Sequence, residues 1–217
     1  MLIIALGLAL LCVPKADLHL WLCDFHTHAR DIFLRYYTQV AEWFPYIVCV
    51  ALLLFSRIGN GVFASTCMIV SALTTQLFKH IINAPRPLKW FEIHMPDVQL
   101  PLVEGVNTHS WYSFPSGHTT SFFALAFVLC ILLTSKSNTH KVSTTGNVLL
   151  QMMLFVLAAL GGYSRIYLSQ HFALDVLAGI VVGLGITLLF YLLFVRFEDK
   201  KWYNYRLLTK RTKKGDR

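Results

Sequence analysis

Charge is what this 217-residue chain lacks. Asp, Glu, Lys and Arg make up 14% of it, against about a quarter in soluble domains of ordinary composition. Acids are scarcest, 11 against 19 Lys and Arg. With 56% of positions hydrophobic and a mean hydropathy of +0.57, this shortage excludes a disordered chain, a solenoid of polar repeats and an ordinary cytosolic enzyme. Paired cysteines are missing too. Cys12, Cys23, Cys49, Cys67 and Cys130 form no CxxC and no matched spacing, which argues against a disulfide framework; in apolar runs such cysteines behave as small hydrophobes. The net charge of +8 comes without a zinc-finger, RNA-recognition or helix-turn-helix pattern, so no nucleic-acid partner is expected. The excess gathers at Lys200, Lys201, Arg206, Lys210, Arg211, Lys213, Lys214 and Arg217, where it reads as cytoplasmic anchoring against anionic lipid.

What the chain has is long apolar runs. A helix needs about 20 largely apolar residues to cross the hydrocarbon layer. Ile58 to Phe78, Phe114 to Ser135, Gly146 to Ser164 and Val176 to Val195 meet that need, and Trp43 to Ser56 reaches it if it extends back through Tyr36 and Tyr37. Met1 to Val13 reads as a short first transmembrane helix, with an uncleaved anchor or a truncated start as alternatives. The expectation is an all-α polytopic membrane bundle of about six transmembrane helices, with five as the alternative. Asp17 to Glu42, which carries Trp21, Phe25, Phe33, Tyr36 and Tyr37, is expected to lie along the outer interface as an amphipathic helix.

Loop charges orient the bundle. Arg57, the loop with Lys136 and Lys141, and the basic tail share one side if the chain crosses at each run, and the positive-inside rule assigns that side to the cytoplasm. Lys15 to Glu42, Asn83 to Phe114 and Arg165 to His171 then share the outer side.

Three polar clusters stand at helix ends on that outer side, where ionisable residues call for a reason. The first runs from Lys79 to Pro87, the second from Ser113 to His118, the third from Ser164 to Asp175. Lys79, Arg86 and Arg165 are three cations aimed at one place, and Arg suits bidentate phosphate binding. Pro85 and Pro87 are expected to break the helix and leave Arg86 on an extended stub. Ser116 and Gly117 open a helix after Pro115, whose free N–H groups favour an anion. His171 and Asp175 are spaced i, i+4, so that on a helix the carboxylate fixes the imidazole tautomer. An oriented neutral imidazole is a nucleophile, and His118 is placed to protonate a leaving oxygen. Each feature alone has a plain reading: a snorkelling lysine, an ordinary loop-to-helix start, a structural His–Asp pair, an interfacial arginine.

The order Lys-x6-Arg-Pro, Pro-Ser-Gly-His, Ser-Arg-x5-His-x3-Asp resembles the three-part signature of the type 2 phosphatidic acid phosphatase (PAP2) superfamily. It is matched at Lys79, Arg86 and Pro87, at Pro115 to His118, and at Ser164, Arg165, His171 and Asp175. The resemblance implies a single transmembrane domain over residues 1–196 with its catalytic signature in 79–175, and a basic cytoplasmic tail over 197–217. It implies hydrolysis of a lipid phosphomonoester or diphosphate without metal or other cofactor. His171 would be the nucleophile, Asp175 its orienting partner and His118 the acid and base. Lys79, Arg86, Ser116, Gly117, Ser164 and Arg165 would hold the phosphate. The density of spans argues against the soluble haloperoxidase branch. Undecaprenyl diphosphate is the leading substrate by resemblance to small bacterial members, with lipid A phosphates, phosphatidylglycerophosphate and phosphatidate as alternatives. The implied setting is a bacterial inner membrane with the site facing outward, the partners being the bilayer and the lipid substrate. Two competing readings remain: a metal site at Asp24, His26, His28 and Asp31, which lacks a zinc-like spacing, and a non-catalytic binder or transporter of lipid phosphates.

Overall fold

A computed structural model describes residues 12–41, 43–134 and 144–207, together with Gly7 and Leu10. Most of the Met1–Val13 run, Glu42, the loop lysines Lys136 and Lys141, and the tail from residue 208 lie outside the described residues. The elements are α1 (Lys15–Cys23), α2 (His28–Tyr37), a 3₁₀ turn (Thr38–Ala41), α3 (Trp43–Ser56), α4 (Ile58–Ile82), α5 (Pro87–His94), α6 (Gly117–Thr134), α7 (Thr144–Tyr167), α8 (Ala173–Phe194) and a closing 3₁₀ turn (Val195–Phe197). Among the described residues the chain is all-helical, and four helices are long and apolar enough to cross a bilayer.

A fifth crossing exists only if two bent segments count as one. His28–Ala41 and Pro45–Ser56 meet at 47°, and α3 alone, 14 residues, is about 21 Å long at 1.5 Å per residue. The described residues carry four spans, or five with the bent pair; the remaining expected span, Met1 to Val13, lies mostly outside the described residues. The single interfacial helix expected over Asp17 to Glu42 is instead two helices. Thr27 stops the chain in extended conformation, and its side chain accepts from the Arg30 N–H, capping α2. Trp21, Phe25, Phe33 and Tyr36 all remain exposed, as residues at headgroup level do.

The sidedness of the elements follows from backbone pairing. The Ile58 and Gly59 N–H groups donate to the Tyr205 and Tyr203 carbonyls at 2.9 and 3.0 Å, so the turn carrying Arg57 and the segment after α8 lie at one end. At the other end α4 stops at Asn83, in left-handed conformation with φ 43°. Arg86 follows in extended conformation, and Pro87 opens α5 at a position where its missing N–H costs nothing.

The core of the bundle is α6 against α8. Two glycines let them meet: a Cβ on Gly179 would lie 2.7 Å from the Ser116 carbonyl oxygen, and one on Gly183 2.6 Å from that of Thr120. In a bilayer, where lipid is as apolar as leucine, such close approach is what holds helices together. The Ser116 N–H donates to the Asp175 carbonyl at 3.0 Å, pinning the starts of α6 and α8. Phe122, Phe123, Ala158, Val176 and Ile180 fill the space beside them. Gly183→Val should cost about 1–3 kcal/mol by overpacking and lower the thermal midpoint in detergent. Gly185→Val, where nothing lies within 4 Å, should leave it nearly unchanged; equal effects would contradict this packing.

Candidate active site

The three polar clusters meet in a cavity of about 540 Å³ at the end opposite the Arg57 turn, lined by Lys79, Arg86, Gly117, His118, Arg165 and His171 among others. Each residue arrives by a local device. Lys79 sits in the last turn of α4, where its carbonyl accepts from Asn83 N–H. Arg86 is held by its surroundings: its N–H donates to Ser110 O at 2.9 Å, Nε to Trp111 O at 3.1 Å, and Nη1 to Gln170 Oε1 at 2.7 Å. Gly117 and His118 open α6, presenting the N-terminal end of a helix to the cavity. Arg165, near the end of α7, donates from Nη1 to Thr38 Oγ1 at 2.8 Å.

His171 lies in the short link between α7 and α8. Ser169 turns left-handed (φ 50°), and the Gln170 and His171 N–H groups both donate to the Arg165 carbonyl, at 3.0 and 3.1 Å. The i, i+4 helical geometry expected for His171 and Asp175 is thus corrected. Phe172 is extended, α8 starts at Ala173, and Asp175 is its third residue, with its carboxylate accepting from Phe172 N–H at 2.9 Å. The pair meets all the same, His171 Nδ1 standing 3.6 Å from Asp175 Oδ2. Ser113 connects them: its hydroxyl donates to Asp175 Oδ2 at 2.5 Å, and its Oγ faces His171 Nδ1 at 3.5 Å. With Nδ1 engaged on that side, Nε2 is the nitrogen left to react.

Two expected phosphate ligands do not line the cavity. The Ser164 hydroxyl donates back to Gly161 O at 2.6 Å. Ser116 Oγ caps the start of α6, accepting from the Thr119 N–H at 3.4 Å and the Thr119 hydroxyl at 2.8 Å; Ser/Thr hydroxyls next to helical backbone commonly turn inward in this way. Conversely, Ser113 and Gln170 stood within the polar clusters, yet only the assembled fold reveals their partners. His19 was also missed. This buried imidazole of α1 reaches Ser169 Oγ at 3.3 Å and braces the link that carries His171. Burial holds its pKa down to about 4, so it acts as a neutral hydrogen-bonding group.

The Asp24, His26, His28 and Asp31 cluster is not assembled as a metal site. Among the described residues no three His, Cys, Asp or Glu side chains are placed to hold an ion. His26 Nδ1 instead pairs with Asp31 Oδ1 at 2.9 Å, and that same oxygen accepts from the Tyr167 hydroxyl at 2.6 Å, which fastens α2 to α7.

These features coincide with a known group of proteins. Residues 60–199 match the family model of the PAP2 superfamily, and the chain belongs to that superfamily. A lipid A 4′-phosphatase of Porphyromonas gingivalis is 30% identical over 160 residues, covering 69% of this chain and 60% of that protein. An undecaprenyl-diphosphatase of Bacillus subtilis is 25% identical over 177 residues, covering 80% of this chain and 78% of that protein. The crystal structure of Aquifex aeolicus LpxE shares the fold with a TM-score of 0.64 at 23% identity, over 81% of this chain and 93% of that one. The chain spans less than two thirds of the length of several curated relatives, 60% in the case of the lipid A 4′-phosphatase. With its apolar helices and membrane neighbours, the protein is an integral membrane protein.

Burial, then Arg165, Arg86 and Lys79 in that order, push the His171 pKa well below the ordinary imidazole value of 6.5. A lowered pKa keeps the ring neutral further into the acidic range, and an anion in the cavity, offsetting the cations, should raise it. Histidine NMR of the full chain in detergent should show the His171 ring neutral at pH 6.5, with its transition moving up when phosphate is added. A transition at or above 6.5 without phosphate would contradict this electrostatic reading.

Proposed function

We propose that the protein is a metal-independent lipid phosphatase acting through a phosphohistidine. One observation carries the reading: a buried imidazole backed by a carboxylate shares one cavity with Lys79, Arg86 and Arg165. Phosphoryl transfer asks for positioning and charge stabilisation above all, and fixed cations with a helix N-terminus supply both. Lys79, Arg86, Arg165 and the Gly117 N–H hold the phosphate oxygens. Ser116 and Ser164, whose hydroxyls are committed to backbone and Thr119, shape the helix ends beside them.

In the first step the neutral His171 Nε2 forms a bond to phosphorus as the P–O bond to the lipid breaks. The departing electron pair stays on the lipid oxygen, which takes a proton from His118. In the second step His118 takes a proton from water, whose oxygen attacks phosphorus and breaks the P–N bond. Phosphate leaves, and both imidazoles return to their starting states. Asp175, through Ser113, holds the proton on Nδ1 throughout, so that Nε2 keeps its lone pair.

The substrate is an amphiphile with its phosphate at headgroup level, and undecaprenyl diphosphate leads. The likeness to an undecaprenyl-diphosphatase over 80% of this chain and 78% of that protein supports that choice, and a cavity with no carboxylate among its described lining residues suits a highly charged headgroup. Orientation follows from Arg57, Lys200, Lys201 and Arg206, gathered at the end remote from the site. The positive-inside rule assigns that end to the cytoplasm and the site to the outer face of a bacterial inner membrane.

Purified protein with chelator present should release phosphate from undecaprenyl diphosphate faster than from lipid A, phosphatidylglycerophosphate or phosphatidate. His171→Ala should lower release by at least about a thousandfold, the scale of losing a covalent nucleophile. Intact spheroplasts should hydrolyse an externally added short-chain prenyl diphosphate. Binding without release would indicate a lipid-phosphate binder, and loss of turnover on chelation would overturn metal independence.

A further inference from the structure

A fourth cation lines the cavity, and it comes from outside the three polar clusters. Arg35 stands in the last turn of α2 and shares the cavity with Lys79, Arg86 and Arg165. Its place relative to them is fixed. Thr38, three residues further on and so on the same helical face, accepts from Arg165 Nη1 at 2.8 Å. Arg35 therefore sits one helical turn from the cradle.

The guanidinium is held in a built position. Nη1 donates to the Glu104 carbonyl at 2.9 Å, which uses one of the five donors that an arginine carries. The next residue, Gly105, is left-handed with φ 74°, and a Cβ there would lie 2.4 Å from Arg35 Nη1 and 2.5 Å from Cζ. The backbone conformation favours glycine here, and a Cβ would push the guanidinium, the far end of a flexible side chain, out of its seat. Three cations and a helix N-terminus already suffice for one phosphate dianion. An arginine one turn away, in a cavity without a carboxylate among its described lining residues, calls for a second anion.

We infer that Arg35, seated against the Gly105 turn beside the Lys79–Arg86–Arg165 cradle, binds a second phosphate of the substrate on the lipid side of the scissile one. This rests on the phosphatase reading above and narrows it to lipids that carry two phosphates close together. In a diphosphate the second group is the leaving phosphate itself. In phosphatidylglycerophosphate it is a phosphodiester across one glycerol. Phosphatidate has no such group. Arg35 is thus a specificity-determining residue rather than part of the reacting set.

The test is steady-state kinetics of the full chain in detergent on a prenyl diphosphate, phosphatidylglycerophosphate and phosphatidate. The variants are Arg35→Ala, Arg35→Lys and Gly105→Ala. Loss of a charge-assisted pair should lower the kcat/KM ratio of a two-phosphate substrate over phosphatidate by about tenfold or more in Arg35→Ala. Arg35→Lys should keep part of that ratio. Gly105→Ala should lose it with Arg35 still present, because the guanidinium is displaced. The larger loss between the two doubly phosphorylated lipids identifies the spacing that Arg35 reads. An equal fall on all three lipids, an unchanged ratio, or wild-type preference for phosphatidate would each overturn the inference while leaving a phosphatase. If Arg35→Ala fails to fold, the ratios of Arg35→Lys and Gly105→Ala decide. Wild-type protein that hydrolyses none of the three defeats the phosphatase reading itself, a result distinct from all of these.

Discussion

Everything at the site end of this bundle depends on holding like charges together near an uncharged imidazole. Arg86 and Arg165 are 8% and 7% exposed, and His171 1%. Burying a guanidinium away from water is unfavourable unless its donors are satisfied. The hydrogen bonds described above give several of those donors neutral oxygens: Gln170 Oε1 and Trp111 O for Arg86, Thr38 Oγ1 for Arg165. A carboxylate in those places would cancel the positive potential that a phosphate needs. Neutral acceptors fix the direction of each cation and leave its charge for the ligand, which is electrostatic preorganisation in the strict sense.

The one buried carboxylate of the site, Asp175, is placed behind the ring and not among the arginines. Its Oδ2 accepts from both the Ser113 hydroxyl and the Phe172 N–H, and its backbone carbonyl accepts from Ser116 N–H. Those bonds tie together the second and third polar clusters and the close contact of α6 with α8. The glycines at 179 and 183 are therefore part of the chemistry at one remove. They set how near the start of α8 comes to the start of α6, and so where the imidazole stands relative to His118 and Gly117.

Much of this was legible in the sequence, because hydropathy and proline chemistry act locally. The four long charge-free runs became α4, α6, α7 and α8. Pro85 and Pro87 put Arg86 on an extended stub, and the order of crossings placed three distant clusters at one end. What was hidden depends on side chains meeting across the fold. Ser113 contacts partners 58 and 62 positions away, and Arg35 and His19 reach the site from helices that hydropathy reads only as interfacial. The i, i+4 spacing of His171 and Asp175 pointed to the right pair for an incomplete reason, since Phe172 is extended and the two residues do not share a helix. Composition also cannot tell which way a hydroxyl turns at a helix end, as the inward-turned Ser116 and Ser164 hydroxyls show. The bend before α3 was equally unreadable: Tyr36 and Tyr37 continue the apolar pattern, but the 3₁₀ turn from Thr38 to Ala41 redirects the chain and delivers Thr38 to Arg165.

The central claim is that these cations converge on His171 so that this ring takes the phosphoryl group. The direct measurement is rapid acid-free quenching of enzyme turning over a radiolabelled lipid phosphate, followed by peptide mapping of the bound label. The account requires acid-labile, alkali-stable phosphate on the peptide containing His171, with both its formation and its loss slowed in His118→Ala, which removes the acid of the first step and the base of the second. Label on any other residue, or stoichiometric turnover with none trapped in either protein, would contradict it.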